Sequence, residues 1–66
     1  MDKLLREFEI FYDLGEGLEP RQITSIRGLE NAEAAMKQLA TLTPGRYFVW
    51  SSLEGEVMAR IDSTSE

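Results

Sequence analysis

The sequence predicts an α+β domain of order β-β-α-β-β, in which a four-stranded antiparallel sheet packs one face against one helix. Three observations support this: a strand of alternating apolar residues, a segment with apolar residues at helical spacing, and a hairpin centred on Glu54-Gly55. Four strands and one helix do not make a parallel crossover fold. The domain is predicted over residues 1–62, followed by a frayed tail at 63–66 that lacks an apolar anchor.

The first two strands are predicted at 5–13 and Arg21–Arg27, joined by a loop at 14–20. The loop prediction rests on two glycines and a proline within seven residues. The second strand has β-branched residues but poor alternation, and we expect it to pair antiparallel with the first. In the first strand, the side chains predicted to face the core are Phe8, Ile10 and Tyr12.

An amphipathic helix is predicted after Gly28, because apolar residues recur at spacings of three and four. The segment is rich in Ala, Glu, Gln and Met, which lose little side-chain freedom in a helix. Pro44 ends it, since proline disfavours α geometry in the residue before it. The stripe predicted to face the core is Leu29, Ala32, Ala35, Met36, Leu39 and Leu42.

The last two strands are predicted at 46–53 and Glu56–Asp62, joined by a two-residue turn of type I′ at Glu54-Gly55. If Leu53 pairs with Glu56, the register brings apolar residues together on one face, and a slip by one residue would mix the faces. The residues of this hairpin predicted to face the helix are Phe48, Trp50, Val57, Ala59 and Ile61.

The same register places four apolar residues on the opposite face of the sheet: Phe11, Tyr47, Val49 and Met58. Exposed apolar patches mark interfaces, and aromatic residues and methionine are enriched in interface cores. A core this small is often supported by a disulfide, a metal or a partner chain, and the sequence has no cysteine. The alternative is that these residues are single exposed apolar side chains, which are ordinary, and that the terminal Leu4-Leu5 segment folds over some of them.

A second candidate surface is acidic. All of the net charge of −5 lies between residues 7 and 19, which hold five acids and no base, while the rest of the chain has seven of each. These acids are Glu7, Glu9, Asp13, Glu16 and Glu19. Such a patch repels phosphate, which argues against nucleic-acid binding, but it could attract a basic protein. The alternative is a solvated face that keeps the domain soluble.

Catalytic chemistry finds little support, because the chain has no histidine and no cysteine and its two lysines stand in no recognisable motif. No cofactor or metal is expected, and no apolar run reaches the length of a membrane span. The sequence therefore predicts a cytoplasmic, non-catalytic interaction module. It would be a homo-oligomer, or would bind another protein, through the sheet face or an edge; the alternative is an acidic binder or inhibitor of a basic protein surface.

Overall fold

The computed structural model describes residues 6–64, and its elements confirm the predicted α+β fold and the order β-β-α-β-β. Its four strands form one antiparallel sheet in the order β2-β1-β3-β4, so β1 and β3 are central and β2 and β4 are edges. The elements are β1 (Glu7–Asp13), β2 (Arg21–Arg27), α1 (Leu29–Leu42), β3 (Arg46–Ser51) and β4 (Glu56–Asp62).

The residue before helix α1 is a glycine whose backbone conformation favours this residue type. Gly28 has φ +91° and ψ 132°, a conformation that L residues with a side chain rarely adopt. Its N–H donates to the carbonyl of Arg6 at 2.7 Å, and its carbonyl accepts from the N–H of Ala32 at 2.9 Å. Gly28 therefore ties the start of α1 to the residue that precedes β1.

One end of the predicted helical stripe is wrong. Leu42 is 72% exposed, whereas Ala40, absent from the predicted stripe, is buried with Ala32 and Met36. With 3.6 residues per turn, Leu42 lies about 120° around the helix from Met36 and points away from the sheet. The small alanines bring α1 close to the strands, and the buried apolar cluster is Phe8, Ile10, Ala32, Met36, Ala40, Tyr47 and Val49.

The face that β3 turns toward α1 is the opposite of the predicted one. Tyr47 and Val49 are 4% and 0% exposed, and they pair with Tyr12 and Ile10 of β1 on the helix side. The Tyr47 hydroxyl donates to the carbonyl of Thr43 at 2.5 Å, so its polar end is satisfied where the helix ends. Both residues were predicted to face away from α1, and both belong to the core.

Phe48 and Trp50 consequently lie on the face of the sheet away from α1, called the outer face below. Both are half-buried, although they were predicted to face the helix. The predicted turn was also wrong. The loop between β3 and β4 has four residues, 52–55, and the N–H of Gly55 donates to the carbonyl of Ser51 at 2.7 Å. Glu56 therefore pairs with Ser51 rather than with Leu53, which shifts the register next to the turn by two residues from the predicted one.

An extra residue in each edge strand changes the register again. In β4, Val49 pairs with Ala59 but Trp50 pairs with Val57, which leaves Met58 as the extra residue of a bulge. Met58 packs against the buried cluster, so its predicted outward position is wrong, and Val57 lies outward rather than toward α1. Ala59 and Ile61 pack against the cluster as predicted. In β2, a similar shift leaves Ile23 as the extra residue.

The segment after β4 begins with an anchored residue. The Ser63 hydroxyl donates to the carbonyl of Ala40 at 2.9 Å and to that of Gly45 at 3.2 Å, and accepts from the N–H of Gly45 at 3.1 Å. Its own N–H donates to the Gly45 carbonyl at 2.9 Å. Ser63 therefore joins the end of α1 to the start of β3. The tail predicted to fray at 63–66 is thus anchored at its first residue. Residues 65 and 66 of that tail lie outside the described residues, as does the Leu4-Leu5 segment.

Replacing Ser63 with Ala is expected to lower the free energy of unfolding by about 1–2 kcal/mol, because it leaves half-buried backbone groups without their hydroxyl partner. Urea unfolding followed by circular dichroism measures the change. Ser52→Ala, at an exposed position of the β3–β4 loop, is the control and should change the stability by less than about 0.5 kcal/mol. Equal effects of the two substitutions would contradict the anchoring role.

Candidate interaction surface

The outer face carries an aromatic cluster that no other element of residues 6–64 covers. The rings of Phe11 and Phe48, neighbours across β1 and β3, stack with centroids 5.2 Å apart and planes at 12°. Trp50 follows Phe48 on the same face and pairs with Glu9 on one side and Val57 on the other. Offset stacking of this kind contributes about 0.5–1.5 kcal/mol beyond area burial. We call Phe11, Phe48 and Trp50 the outer aromatic cluster.

The predicted patch of Phe11, Tyr47, Val49 and Met58 does not form a surface. Only Phe11 lies on the outer face, since the other three pack in or against the core. Phe48 and Trp50 were not predicted to lie on the outer face. The sheet nevertheless has apolar residues on both faces, as the sequence predicted. Period-two alternation could not have located Phe48 and Trp50, because both faces of β3 carry apolar residues.

The predicted acidic patch is divided by the fold. Glu7, Glu9 and Asp13 lie on the outer face of a central strand, while Glu16 and Glu19 are exposed in the β1–β2 loop. Basic residues of the neighbouring strands stand beside the β1 acids: Arg27 pairs with Glu7, and Arg46 pairs with Asp13. The outer face is therefore a mixed-charge surface with an aromatic centre.

Asp13 also has a local structural role. One of its carboxylate oxygens, Oδ1, accepts a hydrogen bond from the N–H of Gly15 at 2.9 Å, which starts the loop after β1. In residues 6–64, no group of three acidic side chains is placed to hold a metal ion. Asp13 and Gly15 thus serve the chain reversal.

A shallow concavity of about 260 Å³ lies at one end of the outer face, where β3 begins and β4 ends. Its charged lining residues are Asp13, Arg46, Arg60 and Asp62. Arg46 Nε lies 3.5 Å from Asp62 Oδ2, with more than half of each side chain exposed, so this ion pair adds little stability. Phe48 also lines this end, which makes the concavity continuous with the outer aromatic cluster.

Hydrogen bonds from Thr64 lower the pKa of Asp62, and the charge of Arg46 adds to the effect. The Thr64 hydroxyl donates to Asp62 Oδ1 at 2.6 Å and its backbone N–H at 3.1 Å. A lowered pKa means that the ionised carboxylate contributes stability at neutral pH. This contribution is lost as the pH falls through the folded-state pKa.

Thr64→Val is expected to raise the pKa of Asp62 toward its ordinary value, because the side-chain hydrogen bond is the largest cause of the lowering. Arg46→Gln should raise it less, since the charge is a smaller cause. Carboxyl chemical shifts recorded by NMR during a pH titration give both values. A larger effect from Arg46→Gln would reverse this order of causes.

A second concavity, of about 320 Å³, lies between α1 and the edge strand β2, on the helix side of the sheet. Its lining is largely apolar, with Ile23, Leu39 and the rings of Tyr12 and Tyr47, and with Arg21 at the edge. Burial raises the pKa of the Tyr47 hydroxyl, and the neighbouring Tyr12 adds to the shift. Both effects keep the hydroxyl protonated as the donor to Thr43, so Tyr47 is a packing residue.

The two sheet edges are poor templates for adding a strand. Each edge strand contains a bulge, and each carries charged residues: Arg21 and Arg27 on β2, Arg60 and Asp62 on β4. Bulges and edge charges are common means of preventing edge-to-edge pairing. The sequence predicts association through either the sheet face or a sheet edge. Of these two surfaces, the face is therefore better suited to contact a partner.

Within residues 6–64, helix α1 has neither the length nor the apolar character needed to cross a membrane. Comparison of the chain with protein-family models, with curated proteins and with solved structures finds no match.

Proposed function

We propose that this chain is a small, non-catalytic interaction module that associates with a second copy of itself through the outer face of its sheet. The observation that carries the proposal is the outer aromatic cluster, a stacked Phe11–Phe48 pair beside Trp50 on a face without a covering layer in residues 6–64. Sheets in stable domains bury their apolar face against another element. Aromatic residues are also the residue type most enriched at the centres of protein interfaces.

The charges of the outer face favour a second copy over a basic partner. Among residues 6–64, four acids and three bases occupy this face, a net charge of −1, against −5 for the whole chain. They are Glu7, Glu9, Asp13 and Asp62 with Arg27, Arg46 and Arg60. A surface selected for a basic protein would not place arginines beside its acids, because like charges across an interface cost affinity.

The alternative function is binding of a basic protein through the acidic patch. It is supported by Glu16 and Glu19, which are exposed in the β1–β2 loop beyond the arginines of the sheet. Charge reversal at Glu9 and Glu16 together should abolish such binding and leave self-association weakened at most. Phe11→Ser should weaken self-association and leave binding of the basic protein intact. High salt should steeply weaken only the complex with the basic protein.

Self-association can be tested by sedimentation velocity of the wild-type chain and of Phe48→Ser through the micromolar range. We expect a concentration-dependent dimer whose dissociation constant rises more than tenfold in Phe48→Ser, because truncating a central aromatic side chain commonly costs about 2 kcal/mol or more. The matched control is Leu53→Ser, which changes a 73% exposed apolar residue in the β3–β4 loop. A strictly monomeric wild-type chain, or equal effects of the two substitutions, would refute the proposal.

A further inference from the structure

We infer that the two copies pack face to face about a two-fold axis that follows the strand direction between β1 and β3, an inference that rests on the proposed self-association. In this arrangement β1 of each copy lies over β3 of the other, and β2 lies over β4. Three features of the outer face lead to it: the position of the stacked rings, the separation of the acids on β1 from the base on β3, and the register that joins these two strands.

The stacked rings mark the position of the axis. Phe11 and Phe48 lie on the two central strands and at the same level, since they are register partners. An axis that passes between them places Phe11 of each copy over Phe48 of the second copy. Four rings then meet at the centre of the dimer, where a fully desolvated cluster has the largest effect on binding.

The charges select the direction of the axis. On the outer face, the charged residues of β1 are all acids and the charged residue of β3 is Arg46. Asp13 and Arg46 are register partners, so they also share one level. Rotation about an axis along the strands preserves that level, and it places Asp13 of each copy over Arg46 of the second copy. Two opposite-charge contacts therefore form at one end of the interface.

The other two-fold axis that keeps the strands aligned runs across them, and it fails on charge. It places β1 over β1 and inverts the levels about the central rings. Asp13 of each copy would then face Glu9 of the second copy, since these residues lie two positions on either side of Phe11. Two like-charge contacts would form in a partly desolvated interface, which disfavours this arrangement.

The size of the face sets the expected affinity. Four strands about 4.8 Å apart, three of them seven residues long and β3 six, cover about 19 by 24 Å, so two copies bury about 900 Å² of face in total. Interfaces below about 1,200 Å² belong to the weak and transient class. A dimer with a dissociation constant in the micromolar range is therefore expected, together with rapid exchange of subunits.

A charge-swap experiment tests the direction of the axis. In Asp13→Arg alone, the introduced guanidinium would face Arg46 of the second copy, and in Arg46→Asp alone, the introduced carboxylate would face Asp13 of the second copy. Each single variant should raise the dimer dissociation constant at least tenfold. An equimolar mixture of the two should form a heterodimer with near wild-type affinity, and so should the double variant D13R/R46D with itself.

The double variant also controls for an effect of Asp13→Arg on folding, because both variants lack the hydrogen bond between Asp13 and the N–H of Gly15. Stronger association of Asp13→Arg alone would indicate the transverse axis and overturn the inference. So would single variants that weaken the dimer without rescue by mixture or double substitution. In either case the proposed function still stands if Phe48→Ser abolishes the dimer, whereas a monomeric wild-type chain removes both.

Discussion

Val49→Asp is expected to unfold the domain at 25 °C, whereas Phe48→Asp, one residue earlier in the same strand, should leave it folded. Val49 is fully buried, pairs with Ile10 and Ala59, and packs in the cluster under α1. An unpaired carboxylate there costs several kcal/mol, and the core of a chain this short supplies only about 3–5 kcal/mol. Phe48 points to the outer face, where water can solvate a charge.

Circular dichroism and the fluorescence of the single tryptophan, Trp50, measure the outcome for both variants. Phe48→Asp should retain the wild-type far-ultraviolet spectrum and a cooperative thermal transition, with loss of the stacking interaction with Phe11. Val49→Asp should show neither. If Phe48→Asp unfolded the chain and Val49→Asp did not, β3 would face the way the sequence pattern predicted.

The order of elements could be predicted from the sequence, but the face of β3 could not, and the reason lies in its composition. Alternate residues of β3 are apolar or aromatic on both faces, with Tyr47 and Val49 on one and Phe48 and Trp50 on the other. Period-two alternation therefore does not identify the buried face. In the structure, the choice favours the tyrosine, whose hydroxyl reaches Thr43, over the larger indole.

The candidate site depended on that choice, so its residues were only partly predictable. Phe11 was placed correctly because it lies two residues from both Glu9 and Asp13, and these acids identify the face of β1 opposite to Phe8 and Ile10.

Met58 was misplaced together with Val49, whose face it was predicted to share. The bulge, which leaves no trace in a two-residue repeat, brings Ala59 and Ile61 to the helix side although Phe48 and Trp50 face outward. Leu42 was misplaced because it keeps the spacing of three from Leu39 but lies about 120° around the helix from Met36, on the side away from the sheet.

Gly45→Ala is expected to lower the free energy of unfolding by about 2–3 kcal/mol, because the added methyl group has no room. A Cβ on Gly45 would lie 2.5 Å from Tyr12 Cε1 and 3.2 Å from its hydroxyl oxygen. The ring cannot move freely, since it packs against the buried cluster and lies 5.2 Å, centroid to centroid, from Tyr47. Gly45 also takes part in the hydrogen bonds with Ser63, so its backbone is held from the other side.

The clash with Tyr12, rather than the loss of glycine flexibility, is the expected cause, and a double-mutant cycle separates the two. In a Tyr12→Leu background the offending ring atoms are gone, so Gly45→Ala should cost less than about 1 kcal/mol there, a coupling well above the error of additivity. Thermal and urea unfolding of the four chains give the coupling free energy. An unchanged cost in the Tyr12→Leu background would place the strain in the backbone at Gly45. The contact between Tyr12 and the start of β3 would then be incidental to the close approach of these two segments.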